Sequence, residues 1–479
     1  MRDRKLESYS RDWRKREEVA ELMVPLIGKL YRDQGVVTTI YDHSLVRKSA
    51  IEILKAHRFT RHVLKEELSV SASLPVLQAL SRLDPEPARI DVGKLAVGYE
   101  RKKAEVGVDV FLRQALAETG MERKALLDRP QDVVLYGFGR VGRMLARILI
   151  QRSGGDKWRL RAVVTRKRRG DDLMKRASLL RRDSVHGRFN GAIVMDREEN
   201  ALVANGNMIR VLYADAPEDV DYRAYGIQDA VVVDNAGIWR DREGLGRHLK
   251  AGGVSKVILT APGEGDVPNI VYGVNNDDIR EEERTLSAAS CTTNAIVPVL
   301  KAMHDRFHIE HGHIETCHAY TNDQNLIDNY HRKSRRGRGA PLNMVITETA
   351  AANAVAKILP ELAGRLTANA IRVPTPNVSL AILNLALGRE NTVEDVNTYL
   401  RDISLHSPLQ DQIDYTSSHE VVSSDFIGTL KTAIVDSFAT IVQGKRCVLY
   451  VWYDNEYGYA CQVIRIVQHI AGLQLPAFP

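Results

Sequence analysis

Apolar residues recur at intervals of three and four along the first 128 or so residues. Val19, Leu22, Met23, Leu26, Ile27 and Leu30 fall on one helical face, the spacing of an amphipathic helix laid on a core. Pro25 lies off that stripe and predicts a kink or a division, because a helix interior needs the N–H that proline lacks. A second helix should carry Val46, Ala50, Ile53 and Leu54, with Asp42 as its cap. A third should span roughly 105–119 and turn Val108, Phe111, Leu112 and Ala115 inward. Asp84-Pro85-Glu86-Pro87 breaks the block. Residues 1–128 therefore read as a mainly helical region.

At Gln131 the period changes. A short apolar strand at 132–136 leads through a glycine turn into a helical run at 143–150. A second strand at 160–164 follows a loop around Gly154-Gly155, and 230–233 and 257–259 are further buried strands. Strands alternating with helices predict a parallel sheet covered on both faces. Beyond Cys291 the pattern changes again. Long apolar stretches at 378–387 and 447–452 suggest a second sheet, 347–359 is Ala-rich and helical, and 457–473 should be a terminal helix. The expected fold is α/β, a cofactor domain plus an α+β catalytic domain, preceded by the helical region. The boundaries are a helical extension over 1–128, a dinucleotide-binding domain over 129–290 and a catalytic domain over 291–455. A C-terminal helix over 456–479 would return to the cofactor domain.

Composition narrows the class. Hydrophobic residues make up 44% and charged residues 27%, the balance of a globular protein with substantial cores. No run reaches the apolar length of a membrane span, and the charged start Met1-Arg2-Asp3-Arg4-Lys5 leads into no apolar core. A cytoplasmic location is the expectation. Four scattered cysteines, Cys291, Cys317, Cys447 and Cys461, suit neither a disulfide framework nor a zinc cluster, which leaves one free to be a nucleophile. Basic runs at 166–169 and 332–338 come with no nucleic-acid motif. Anionic small molecules are the expected partners.

Gly137-Phe138-Gly139-Arg140-Val141-Gly142 follows the first strand and opens a helix. In that setting Gly137 permits the tight turn, Gly139 lets the backbone approach a pyrophosphate, and Gly142 allows close helix packing. The helix N-terminus then faces the anion. A Rossmann-type site is expected, with Gly137, Phe138, Gly139, Arg140, Val141 and Thr260 among its contacts. An acid after the second strand would bind the ribose of NAD. The chain has Arg166, Lys167 and Arg168 instead, which favours NADP over strict NAD. A solvated surface turn is the competing reading of that loop.

Ser290-Cys291-Thr292-Thr293-Asn294 precedes a helical run at 295–307. A cysteine at a helix N-terminus has its thiolate stabilised, and His318 could pair with it to make the thiolate the resting nucleophile.

The segment from Ala289 to Asn294 resembles the active-cysteine signature of the phosphorylating glyceraldehyde-3-phosphate dehydrogenase family. Four other strings resemble family motifs in family order. They are the glycine motif, Asp183-Ser184-Val185-His186-Gly187-Arg188-Phe189, Arg372-Val373-Pro374-Thr375-Pro376-Asn377-Val378-Ser379, and Trp452-Tyr453-Asp454-Asn455-Glu456-Tyr457-Gly458-Tyr459. The resemblance covers about 132–470 and leaves the first 128 residues out. It implies that Cys291 attacks an aldehyde, with His318 as base. Inorganic phosphate would then release an acyl phosphate. Asn455 and Tyr459 would lie at the nicotinamide, Thr321 and Arg372 at the substrate phosphate, and Ser290, Thr292, Arg336 and Thr349 at the phosphate sites. It also implies a homo-oligomer, commonly a tetramer. Departures are Ala350 where the family has glycine, Ala295 for the usual second cysteine, and Asp234-Asn235-Ala236-Gly237 beside the cofactor. Erythrose-4-phosphate dehydrogenase, with water in place of phosphate, is the alternative branch. A regulatory protein on the same scaffold is the alternative from another class.

Overall fold

The computed structural model describes residues 2–117, 129–152, 158–473, 475 and 477–478. The Gly154-Gly155 loop and the end of the third N-terminal helix at Thr119 lie outside the described residues. The described chain divides into two compact units. One holds the residues up to Arg129 with those from Leu473 onward, and the other runs from Pro130 to Gly472.

The N-terminal unit is built on the helix Arg2–Gln34, which buries Ala20, Met23, Ile27 and Leu30. The helix runs through Pro25 as one element, so of the expected kink or division the division does not occur. Buried anchors on both sides of the proline offset the single hydrogen bond it forfeits. The second helix, Ala50–Phe59, is capped by Ser49 in a capping box with Glu52, and Asp42 instead sits in a tight turn at φ 71°. Ser49 supplies the hydroxyl acceptor and Glu52 the reciprocal carboxylate, which together satisfy two end N–H groups. Val70–Leu83, Val92–Lys102 and Val108–Ala117 complete the helical layer. A small sheet was not legible in the helical periodicity. It orders His43–Ser44, Val37–Ile40, Arg89–Asp91 and Ala477–Phe478. The last strand pairs Phe478 with Ile90, so the chain's end contributes to this unit's core.

In the larger unit an eight-stranded sheet runs in the order Thr285–Ser287, Val254–Leu259, Ala230–Asp234, Gln131–Tyr136, Trp158–Thr165, Asn207–Tyr213, Ala201–Ala204, Ile193–Asp196. The first six strands are parallel and the last two antiparallel. This is the Rossmann-like half. A second sheet orders Val345–Thr347, Leu366–Val373, Ile309–Ala319, Ser379–Leu387, Arg446–Tyr453, Ala433–Asp436 and Ile413–Thr416. It packs on Cys291–Phe307 through Ile296, Leu300, Leu383, Leu449 and Val451. The stretch expected to be helical from 347 begins its helix only at Ala351, because Thr347 ends an edge strand. The terminal helix Tyr457–Ile470 packs on Arg140–Arg152. No helix among the described residues is long and apolar enough to cross a membrane.

Candidate active site

Ser290 caps the helix Cys291–Phe307, its hydroxyl accepting the Thr293 N–H at 3.0 Å. That puts Cys291 in the first turn, at the positive end of the helix. Ala289, two residues earlier, has φ 53°, a left-handed conformation that costs a β-carbon residue about 1–3 kcal/mol. Its neighbours hold it there. The Ser287 hydroxyl accepts the Ala289 N–H at 2.9 Å, and Tyr459 donates its hydroxyl to the Ala289 carbonyl at 3.0 Å.

His318 comes from the strand Ile309–Ala319, and the parallel strand beside it places Arg372 opposite His318 in register. Sheet pairing thus joins residues that sequence spacing could not connect. The Cys291 Sγ lies 3.5 Å from His318 Nε2. His318 Nδ1 faces the Ala319 carbonyl at 2.7 Å and Arg372 Nη1 at 2.6 Å, and Arg372 also donates to that carbonyl at 3.1 Å. Burial pushes the Cys291 thiol up, while Arg372 pulls it down. Burial, and then Arg372, holds the His318 imidazole down at about 3. Burial thus opposes charge on both partners, against the stabilisation that a helix end and Arg372 give a thiolate.

Of the expected phosphate ligands, Arg372 touches His318 and Arg336 lies close enough to act on its charge. Arg372 has a buried Nε with no partner among the described residues, an orphaned donor. Such a group fits an anion that completes its fork. Arg336 donates to the Thr347 hydroxyl at 3.2 Å and pairs with Asp323, to which Thr321 also donates. Asp323 went unnoticed in the sequence. Its carboxylate stands as an internal anion on two of the expected phosphate ligands. Thr349 accepts the Ala351 N–H at 3.2 Å, and Ala350 sits at φ −89°. That conformation suits any L-residue, so the turn does not need the missing glycine. Thr292 lies inward and shares a 3.0 Å hydrogen bond with the Tyr453 phenol.

The glycine motif has the shape a dinucleotide needs. Gly137 turns at φ 98°. A β-carbon on Gly142 would come within 2.4 Å of the Gly137 carbonyl, whereas one on Gly139 would meet open space. Close packing at one glycine and clearance at another fit a pyrophosphate laid against this turn. Phe138 is buried and Val141 half-buried. The Arg140 guanidinium is held by Glu456 and Asp183, so any contact from Arg140 to a cofactor would come from its backbone at the helix start. Thr260 donates to the Asp234 carbonyl at 3.0 Å. Arg166, Lys167 and Arg168 are exposed. Arg166 lies 3.7 Å from Asp215, and Lys167 sits over the Tyr213 ring. Asn455, at the other end, is buried against Ser379.

The glyceraldehyde 3-phosphate dehydrogenase C-terminal domain matches residues 290–455 and the family's NAD-binding domain matches residues 131–242. A glyceraldehyde-3-phosphate dehydrogenase-like protein of Pseudomonas aeruginosa strain UCBPP-PA14 is 56% identical over 95% of this chain and 100% of its own length. This chain belongs to the glyceraldehyde-3-phosphate dehydrogenase family. Glyceraldehyde-3-phosphate dehydrogenase of P. aeruginosa strain PAO1 is 38% identical over 69% of this chain and 96% of its own length. Chloroplastic glyceraldehyde-3-phosphate dehydrogenase A of Zea mays is 38% identical over 74% and 86%. The chemistry is the family's oxidoreductase chemistry, with Cys291 and His318 as its pair.

A buried ionic network lay unread across three family motifs. Glu456 pairs with Arg140 and accepts from His186 Nε2 at 2.9 Å, and Arg140 reaches Asp183 at 3.2 Å. Burial works to raise the Asp183 pKa, but the N–H groups of His186 and Val185, with Arg140, bring it down to about 2. The signal was in the sequence. Arg143 and Arg147 interrupt an otherwise apolar helix, and buried arginines require buried acceptors. Arg143 lies 3.8 Å from Asp183, and Arg147 donates to the Leu180 and Gly187 carbonyls.

Proposed function

We propose that the chain oxidises glyceraldehyde-3-phosphate with inorganic phosphate and NAD(P) to 1,3-bisphosphoglycerate and NAD(P)H, reversibly, through a thioester on Cys291. The carrying observation is the 3.5 Å approach of Cys291 Sγ to His318 Nε2, with Arg372 against the far side of the same ring. Arg372 is a donor only, and its contact with Nδ1 needs that nitrogen bare. A substrate phosphate that draws Arg372 away lets Nδ1–H donate to the Ala319 carbonyl. Nε2 then accepts the thiol proton as Sγ bonds the aldehyde carbon, and passes that proton to the former carbonyl oxygen, which forms the thiohemiacetal hydroxyl and returns His318 to its neutral form. His318 next takes the hydroxyl proton of the thiohemiacetal. The nicotinamide, when bound, supplies the hydride acceptor. Phosphate adds to the thioester carbonyl, the C–S bond breaks, and the acyl phosphate leaves. Arg372 and Thr321 hold the substrate phosphate, and Ser290, Thr292, Arg336 and Thr349 serve the attacking phosphate. Asp323 is displaced from Arg336 as the anions bind.

The exposed basic loop supports use of both cofactors with an advantage for NADP. A homo-oligomer, a tetramer in this reading, is supported by exposed Leu326, Ile327, Tyr330, Leu342 and Met344, an apolar surface that a second copy would cover. Residues 1–128 act in assembly or regulation, and the protein works in the cytoplasm. The test compares kcat/KM for glyceraldehyde-3-phosphate and erythrose-4-phosphate, with and without phosphate. The three-carbon substrate should win and phosphate should be required. Preferred phosphate-independent oxidation of the four-carbon sugar would reverse the reading.

A further inference from the structure

Ser379 stands where the segments carrying His318 and Asn455 meet. Val378, just before it, has φ 66°, a conformation that a β-branched side chain adopts only when its surroundings force it. The clamp is visible on both sides. Asn377 Nδ2 donates to Asp454 Oδ1 at 3.0 Å, and Ser379 pairs in register with Tyr453. The strand Ser379–Leu387 therefore starts with the Ser379 hydroxyl turned into the protein, 1% exposed.

That hydroxyl serves two groups at once. Its oxygen accepts the Ala319 N–H at 3.1 Å, and its hydrogen goes to Asn455 Oδ1 at 2.9 Å. The Ala319 peptide is thereby held from both ends, since its carbonyl accepts from Arg372 Nη1. With Oδ1 committed, the Asn455 amide presents Nδ2, which has no partner among the described residues. A hydrogen-bond network of this kind decides which way an amide faces.

We infer that Ser379 is a positioning residue for the nicotinamide, fixing the Asn455 amide so that Nδ2 can donate to the ring's carboxamide oxygen. The same hydroxyl keeps the backbone beside the catalytic base in place. The inference rests on the reading of Asn455 as the nicotinamide holder given above.

Binding separates this role from a general structural one. Full-length protein is titrated with reduced cofactor, followed by dihydronicotinamide fluorescence, and with ADP-ribose, which lacks the nicotinamide, by calorimetry. Ser379→Ala should weaken the reduced cofactor about tenfold and leave ADP-ribose unchanged. In an Asn455→Ala background the same substitution should have no further effect, because the two residues act as one unit. Equal losses for both ligands, or a full loss that persists without Asn455, would overturn the proposal. Binding of neither ligand by the parent protein would overturn the functional reading itself.

Discussion

The two compact units are stabilised by similar means yet differ in how they use polar groups. The larger unit buries Arg143, Arg147, Asp234, His248, His318 and Asn455, among them the histidine of the catalytic pair and an arginine beside Asp183. The N-terminal unit buries an apolar stripe and little else that is reactive. Its enclosed His57 is satisfied by the Ile53 carbonyl at 2.8 Å and the Ser73 hydroxyl at 3.0 Å. Buried polar groups cost free energy unless paired, so a unit rich in them has been shaped by chemistry as well as by folding. Hydrophobic periodicity can build a domain while leaving its purpose unstated.

The largest expected effect breaks the larger unit at its centre. Cys291→Ser keeps the volume and the Ser290 cap but replaces sulfur with a far weaker nucleophile. Phosphate-dependent turnover should fall by about 10³-fold or more, with the melting temperature little changed. Mass spectrometry of the parent after aldehyde and cofactor should find the acyl group on Cys291. An acyl group on Cys317, or full activity of the serine variant, would move the site elsewhere.

The N-terminal unit offers the complementary break. Phe478 is 2% exposed in a core whose other members all precede residue 113. Truncating a buried aromatic costs about 3–5 kcal/mol, and a chain-end strand should fall at or below the lower end. Phe478→Ala should therefore lower the unfolding temperature of the N-terminal unit. Catalytic constants measured below that transition indicate whether the unit regulates. A matching change in kcat or KM supports regulation, whereas unchanged kinetics and unchanged mass by light scattering leave it a structural module.

Legibility differed between the units for physical reasons. The strand–turn–helix of the glycine motif could be read because each glycine answers a local steric demand, and the structure has those demands at Gly137 and Gly142. Cys291 was legible from its helix start. The contact of His318 with Arg372 was not, because parallel register between Ile309–Ala319 and Leu366–Val373 creates it across 54 positions. The helix end beside Cys291 can be read locally, whereas the burial that opposes charge on the Cys291–His318 pair cannot. Asp323, and the contacts of Ser379 within its motif, passed unnoticed for a related reason. A short polar residue in a loop or at a strand start has many possible partners until tertiary pairing selects one. In the N-terminal unit the helices were visible by period, while the two- to four-residue strands were too short to show one.

The basic loop at 166–169 sharpens the comparison, because it belongs to the larger unit yet looks like ordinary surface. Arg166 is 63% exposed and its partner Asp215 92% exposed, a pair that water and salt screen to little net value. Arg168 is exposed with no charged partner among the described residues. An unpaired guanidinium at the end of the second strand is available to a 2′-phosphate without first breaking a bond. A charge-assisted hydrogen bond contributes about 1.5–3 kcal/mol before desolvation and ordering are deducted. A net of about 1.4 kcal/mol would give a tenfold preference, and the exposure of this loop argues for less. The NADP-to-NAD ratio of kcat/KM should therefore exceed one by severalfold in the parent. Arg168→Asp should bring it below one by replacing attraction with repulsion, and the shift should shrink as ionic strength rises. Asp215→Asn should raise the parent's ratio slightly by removing the acid beside Arg166. A parent ratio well below one that Arg168→Asp leaves unmoved would mean that the loop is solvated surface, with the adenosine end of the cofactor read by other residues.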